Sequence, residues 1–312
     1  MHVLSFDGTT WTASEVAAGD VRTQVKTDRL TWIRAAGIGP EDLARLCKDF
    51  GIHPLALEDV QNARQRPKVE AYPDLTFVVG RVPRWEDDLT WVQVGVFLGS
   101  DFLITASANT LPELDEVEQR RLKRGASDDD VAMLLHRILD AIVDAWFPYI
   151  EDLEAHVEGL EDASVVRADQ DTLARIRESK QVISRTRKVS GPMRDAVLAL
   201  ERGEHPHVTA EAKLYLRDVS DHMVRIAERL EHVKEMAMFA QEGWNATLAN
   251  QQNQTMKRLT VIFALFLVPT FVAGLGGMNF PGFPDWDYWT VTTAILAFVV
   301  VGGAVSWWQR WL

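Results

Sequence analysis

The sequence predicts an α+β membrane protein, in which an N-terminal α/β region outside the membrane leads into a long helix that continues as the first of two transmembrane helices. Three observations predict it. Short strand-like runs alternate with helix signals up to about residue 107. No Pro lies between Pro206 and Pro269, and Gly243 is the only Gly between Gly203 and Gly274. After residue 258 the charged side chains are only Asp285, Asp287 and Arg310.

The elements follow in order. Thr31–Arg34, Leu75–Val79, Val92–Leu98 and Phe102–Thr105 are short, rich in β-branched or aromatic residues, and bounded by Gly, Pro and Asp, as strands are. Pro40-Glu41-Asp42 opens a helix with Pro and acids in the first turn, and Gly51 closes it. Pro54 to Asn62 reads as a second short helix. From Leu111 the pattern is helical. Asp128-Asp129-Asp130 are read as acids complementing the dipole of a helix start rather than as a metal cluster. That helix is expected from Val131 to about Leu160 with a kink near Pro148, and another from about Gln170 to Glu201 with a bend at Ser190-Gly191-Pro192. Thr209-Ala210-Glu211 supplies a cap and an acidic first turn for a helix running from about 209 to 275. At 1.5 Å per residue it is on the order of 100 Å long. The expected domains are 1–125 (α/β), 126–252 (helical stalk) and 253–312 (two-helix membrane domain).

The 312-residue chain carries a net charge of −12, which repels nucleic acid and attracts cations. Its one cysteine, Cys47, excludes a disulfide framework and a thiolate zinc cluster, and reads as a packed small hydrophobe. Met1–Asp7 lacks a basic stretch followed by an apolar run, so the N-terminal part is expected in the cytoplasm.

The uncharged runs Leu259–Pro284 and Tyr288–Gln309 are each long enough to cross about 30 Å of hydrocarbon. The link between them is short, so they form a hairpin. Lys257-Arg258 precede it, Arg310 follows it, and the link holds Asp285 and Asp287 without Lys or Arg. The positive-inside rule places both termini in the cytoplasm. Trp286, Tyr288 and Trp289 fit one aromatic belt; Trp307, Trp308 and Trp311 fit the other.

Two helices cannot enclose a pore, so a conduit requires an oligomer with one helix per subunit at the axis. The second span is aliphatic all round. The first carries Asn253, Met256, Thr260, Phe263, Leu267, Thr270 and Gly274 at steps of three and four, hence on one face. Polar ends and an apolar middle suit a pore with a hydrophobic gate. The same Thr and Gly also suit close helix packing, and the pattern by itself leaves both readings open.

Gly277-Met278-Asn279, directly after the first of two C-terminal spans, resembles the GMN signature of the CorA magnesium/cobalt channel family. Asn253-Gln254-Thr255-Met256-Lys257-Arg258-Leu259-Thr260 is similar to that family's helix before the membrane. His53-Pro54-Leu55-Ala56-Leu57-Glu58-Asp59-Val60 with Gln65-Arg66-Pro67-Lys68-Val69-Glu70 resembles its N-terminal signature, and Arg217-Asp218-Val219-Ser220-Asp221-His222 a stretch of its stalk helix. The resemblance covers most of the chain. It implies a funnel-shaped homopentamer in the cell membrane. Divalent cations (Mg²⁺, with Co²⁺ and Ni²⁺ as candidates) would pass through it hydrated. Gly277, Met278 and Asn279 would be the selectivity filter and the seven-residue stripe the pore lining. Regulatory metal ligands are expected at Glu58, Asp59, Asp218 and Asp221. The partners are the same chain, lipid and divalent cations; Mg²⁺ is both cargo and regulator, and no organic cofactor is expected.

Gly276 stands where many members have an aromatic residue. The C-terminus carries one Arg where members often carry several Lys, which puts a basic ring at the inner mouth in doubt. The zinc-transporting ZntB branch is the first alternative; Met278 favours the magnesium branch. His205, His207, His222 and His232 are read as structural or surface histidines. A non-conducting membrane-anchored scaffold or sensor is the second. No Gly-rich phosphate loop, Gly-x-Ser-x-Gly or His-Glu-x-x-His points to an enzyme.

Overall fold

The computed structural model describes residues 1–25, 30–62, 64–85, 89–123, 130–278 and 287–308. They form two compact units: Met1–Leu160 with Arg175–Met238, and Glu161–Ala174 with Phe239–Leu312.

The first unit begins with β1 (His2–Phe6), β2 (Trp11–Glu15), α1 (Val21–Gln24), β3 (Leu30–Ala36), α2 (Pro40–Asp49) and α3 (Pro54–Gln61). β4 (Lys68–Tyr72), β5 (Leu75–Trp85), β6 (Leu89–Leu98) and β7 (Phe102–Ser107) complete a sheet of order β2-β1-β3-β7-β6-β5-β4. β3 and β7 pair in parallel; the other neighbours are antiparallel. Helices follow: α4 (Pro112–Lys123), α5 (Val131–Asp144), α6 (Trp146–Val166), α7 (Gln170–Arg202), α8 (Ala210–Gly276) and α9 (Tyr288–Trp308).

The sheet is covered on both faces, which is why β5 is buried almost continuously. The period of two sends Phe77 and Val79 to one side and Val78 and Val82 to the other. The first pair packs with Leu43, Leu46 and Phe50 of the α2 segment and Ala56 of α3. The second joins a core with Leu134, Ile138, Trp146, Leu216 and Met223. Trp146 is fully buried; its indole N–H donates to the Arg81 carbonyl at 3.0 Å, and its ring lies 5.0 Å from that of Trp91.

Helix starts follow local chemistry. Pro40 opens α2 with Glu41 and Asp42 in the first turn, and Gly51 adopts φ +66° beyond its end. His53 caps α3 by accepting from Leu55 N, Asp130 caps α5 by accepting from Met133 N at 2.7 Å, and Thr209 caps α8 by accepting from Ala212 N. Asp128 and Asp129 lie outside the described residues.

Two expectations are corrected. The helix expected from 131 to 160 is two helices broken at Ala145. Pro148 lies in the first turn of α6, where no partner for a backbone N–H is missing. β1, β2 and β4 had no strand signal of their own and join the sheet through pairing. The four anticipated strands, both short helices and α8 stand where expected.

In the second unit, α8 and α9 are each long and apolar enough to cross a membrane. Gly302 of α9 packs against Leu265: a Cβ there would lie 2.8 Å from Leu265 Cδ2.

Candidate pore face and metal cluster

In α8, Val261, Leu265, Pro269, Val272 and Leu275 are less exposed than their neighbours. Leu265 meets Gly302, and Pro269 and Val272 share a groove of about 490 Å³ with Thr290, Val291, Ala294, Ile295 and Phe298 of α9. This face is turned to α9. At 100° per residue the stripe of Asn253, Met256, Thr260, Phe263, Leu267, Thr270 and Gly274 lies on the opposite side, and all seven are exposed. Thr260 Oγ1 donates to the Met256 carbonyl at 2.8 Å and Thr270 Oγ1 to that of Phe266 at 2.7 Å.

The stripe leads to the helix end. Gly277 N donates to the Ala273 carbonyl and Met278 N to that of Leu275, both at 3.1 Å. Asn279 and the rest of the link through Trp286 lie outside the described residues, as do Gln309 to Leu312.

Among the expected regulatory ligands, Asp59 is already occupied: its carboxylate accepts from Lys68 Nζ at 2.7 Å and Gln65 Nε2 at 2.5 Å. Burial opposes the charge on Lys68, yet its bonds to Asp59 and Glu70 outweigh that and raise its pKa. Gln93 and Arg81, both buried, bind the Asp59 and Gln65 carbonyls. The stretch from Glu58 to Lys68 is therefore a knotted corner holding α3 on the sheet. Glu58 and Asp221 are exposed.

A different cluster forms. Ligand atoms of Asp140, Asp144 and His222 lie within 4.8 Å of one another, the one such trio of His, Cys, Asp or Glu among the described residues. α5 presents both carboxylates on one face at i and i+4, and α8 brings the imidazole. His222 Nδ1 is 3.3 Å from Asp144 Oδ1, without hydrogen-bond geometry. Asp218 stands beside the trio, its Oδ2 3.8 Å from His222 Nε2. Burial, then the neighbouring Asp144 carboxylate, push the Asp140 carboxyl above the ordinary range. A half-buried Asp140 and an exposed Asp144 facing an imidazole with an unused ring nitrogen fit a divalent cation, which would neutralise the carboxylates and take the free lone pair. Sequence reading missed Asp140 and Asp144; their signal was an i,i+4 carboxylate pair on a mostly apolar helix. Cys47 is buried, its thiol pushed up to about 12 by burial, as expected of a packed residue.

The family model of CorA-like Mg²⁺ transporter proteins matches residues 27–310. The cobalt/magnesium transport protein CorA of Thermotoga maritima is 32% identical over 281 residues, covering 87% of this chain and 80% of that protein. The zinc transport protein ZntB of Pectobacterium atrosepticum is 25% identical over 228 residues, 71% of this chain and 68% of that one. The complete structure of the CorA magnesium transporter from Methanocaldococcus jannaschii superposes with a TM-score of 0.83 at 21% identity, over 100% of this chain and 99% of that chain. An α/β region, a long helix and two apolar C-terminal helices, matched over 284 residues by one family, place this chain among the CorA-like Mg²⁺ transporters.

Proposed function

We propose that the protein forms a homopentameric pore that conducts hydrated divalent cations, Mg²⁺ first, with Co²⁺ and Ni²⁺ as further cargo. The observation that carries this is the seven-residue stripe of α8. It faces away from α9, is exposed along its length in one chain, and ends at Gly277-Met278-Asn279. Five copies around an axis would bury it as a lining, with the filter at its outer end and α9 outside. The domain limits at 125/126 and 252/253, both termini in the cytoplasm, and residence in the cell membrane belong to the same reading. Mg²⁺ sheds water reluctantly, so a lining that hydrogen-bonds its hydration shell suits it better than carboxylates that strip it. Flux of Mg²⁺, Co²⁺, Ni²⁺ and Zn²⁺ into proteoliposomes tests this. Absence of flux for all four would sink it and favour a scaffold or sensor. Zn²⁺ flux exceeding Mg²⁺ flux would favour the ZntB-like reading, which His222 in the cluster and the similarity to ZntB support.

The Asp140–Asp144–His222 trio, with Asp218 beside it, would hold a regulatory divalent ion; Glu58, Asp59 and Asp221 would serve it only through a neighbouring subunit. Two oxygens suit Mg²⁺, and the imidazole favours Co²⁺, Ni²⁺ and Zn²⁺ more strongly. The sign of one consequence is fixed. Asp140 has a folded-state pKa above that of the unfolded chain. Stability is thus full below the unfolded value and is lost as pH rises through the folded one. Ionised Asp140 therefore destabilises the metal-free protein at neutral pH. Asp140→Asn is expected to raise the melting temperature in EDTA and to shrink the further rise produced by Co²⁺. A ligand at roughly a hundredfold over its Kd contributes about 2.7 kcal/mol, so the lost rise is measurable by scanning fluorimetry. A variant that melts lower in EDTA and keeps the full Co²⁺ response would refute the site.

A further inference from the structure

The second unit holds a contact that no part of the permeation path uses. Gly243 lies inside α8, where glycine weakens a helix and needs a reason. The reason is a close approach by the tip joining α6 to α7. A Cβ at Gly243 would stand 2.8 Å from Ser164 Oγ, 3.4 Å from Val165 Cγ1 and 3.9 Å from Ser164 Cβ. Ser164 is fully buried, and its hydroxyl is held by donation to the Glu161 carbonyl at 2.6 Å. Trp244, the next residue of α8, is 7% exposed, and its indole N–H donates to the Asp169 carbonyl at 2.8 Å. Asp169 is fixed in turn, because its carboxylate caps α7 through Thr172 N at 2.8 Å.

The place of this contact along α8 matters. After Trp244 no residue is buried until Val261. The tip is therefore the last lateral hold on α8 before the stripe begins at Asn253. Those nine residues span roughly 14 Å and two and a half turns, so Asn253 emerges on the side opposite Trp244. A hold on the outer side of the helix, just below the lining, fixes where the lining sits. It is also local: one close-packed glycine, one buried indole and its hydrogen bond, with exposed Glu242 and Asn245 on either side along α8. A contact of that size can be made and broken without unfolding its neighbours.

We infer that the α6–α7 tip is a latch on the proposed pore helix. Ser164 and Val165 seat on Gly243, the Asp169 carbonyl takes the Trp244 N–H, and the latched helix rests in a non-conducting position. Conduction requires the tip to let go. This rests on the transport reading above and adds to it the segment that restrains the helix.

The geometry supplies its own test. The 3.9 Å Cβ separation matches the roughly 3.8 Å typical of a disulfide. Ser164→Cys with Gly243→Cys in the full-length protein should cross-link under mild oxidant; buried Cys47 will not compete. In proteoliposomes, oxidation is expected to lower divalent flux several-fold and reductant to restore it, with the single Ser164→Cys variant indifferent to both. A cross-link verified by mass spectrometry with flux unchanged or raised overturns the latch. Trp244→Phe, which keeps an aromatic ring and loses the N–H, is expected to raise divalent flux; unchanged flux counts against it. Cross-linking rate, read on a gel, separates the two readings. Native protein that moves no ion defeats the transport reading. A Ser164/Gly243 pair that cross-links no faster than a Ser164/Glu242 pair defeats the latch itself.

Discussion

Asn279→Ala is expected to cut divalent flux by an order of magnitude or more while leaving folding and membrane insertion intact. α8 ends at Gly276, Gly277 and Met278 bond back to Ala273 and Leu275, and Asn279 follows them in the sequence, five residues after Gly274 of the stripe. In the proposed pentamer a ring of amide carbonyls there would accept hydrogen bonds from the waters that Mg²⁺ keeps. Alanine offers the hydrated ion nothing, and the cation must then leave bulk water for an apolar mouth without compensation. The loss should be large for Mg²⁺, which dehydrates reluctantly. Proteoliposome uptake with a Mg²⁺-sensitive dye measures it. Equal flux in native protein and variant would remove Asn279 from the path, and with it the strongest residue-level support for a filter.

Trp146→Ala is expected to destabilise the first unit by about 3–5 kcal/mol, the usual range for deleting a buried aromatic side chain. Trp146 is fully buried, lies tilted against the Trp91 ring, and gives its N–H to the Arg81 carbonyl. Truncation opens a cavity and strands the Arg81 carbonyl. Trp146→Phe separates the two effects: it fills most of the space, and its smaller deficit reports the hydrogen bond, about 1 kcal/mol. Urea denaturation in detergent, followed by fluorescence, measures both. A loss under about 1 kcal/mol for the alanine variant would mean that the helix pair α5–α6 is anchored elsewhere.

The parts of the fold legible in the sequence are those whose signal is local. β5 and β6 are near-continuous apolar runs because the sheet is covered on both faces. α2 and α3 announce themselves by Pro at the first position. α8 is legible because no Pro interrupts it before Pro269 and only Gly243 before Gly274, and its stripe because periodicity of three and four survives without any tertiary information. β2 (Trp11–Glu15) buries only its first residue, and β4 is polar at alternate positions; edge strands of that kind are made by their neighbours. The break at Ala145 carries no Gly or Pro at the break itself. The trio illustrates the deeper limit. Asp140 and Asp144 are a readable pair, but His222 is 78 residues further along, and only packing of α8 against α5 brings it to them. Asp59 shows the converse: a carboxylate with the appearance of a ligand is paired with the Lys68 ammonium and accepts a hydrogen bond from Gln65, partners that a linear reading does not assign.

The threonines of α8 have one more consequence. Thr260 and Thr270 spend their hydroxyl hydrogens on the carbonyls of Met256 and Phe266, one turn back in their own helix. What these two threonines offer a solute sliding past the proposed lining is lone pairs alone. Water molecules around a cation point their hydrogens outward and meet welcoming oxygens at each such level. Chloride, whose shell presents oxygens and whose bare surface seeks hydrogens, meets none. As the proposed lining, the first span would thus sort solutes by the polarity of their hydration shells with no formal charge in its wall, and a wall without charge would have nothing to trap a divalent ion once it has entered.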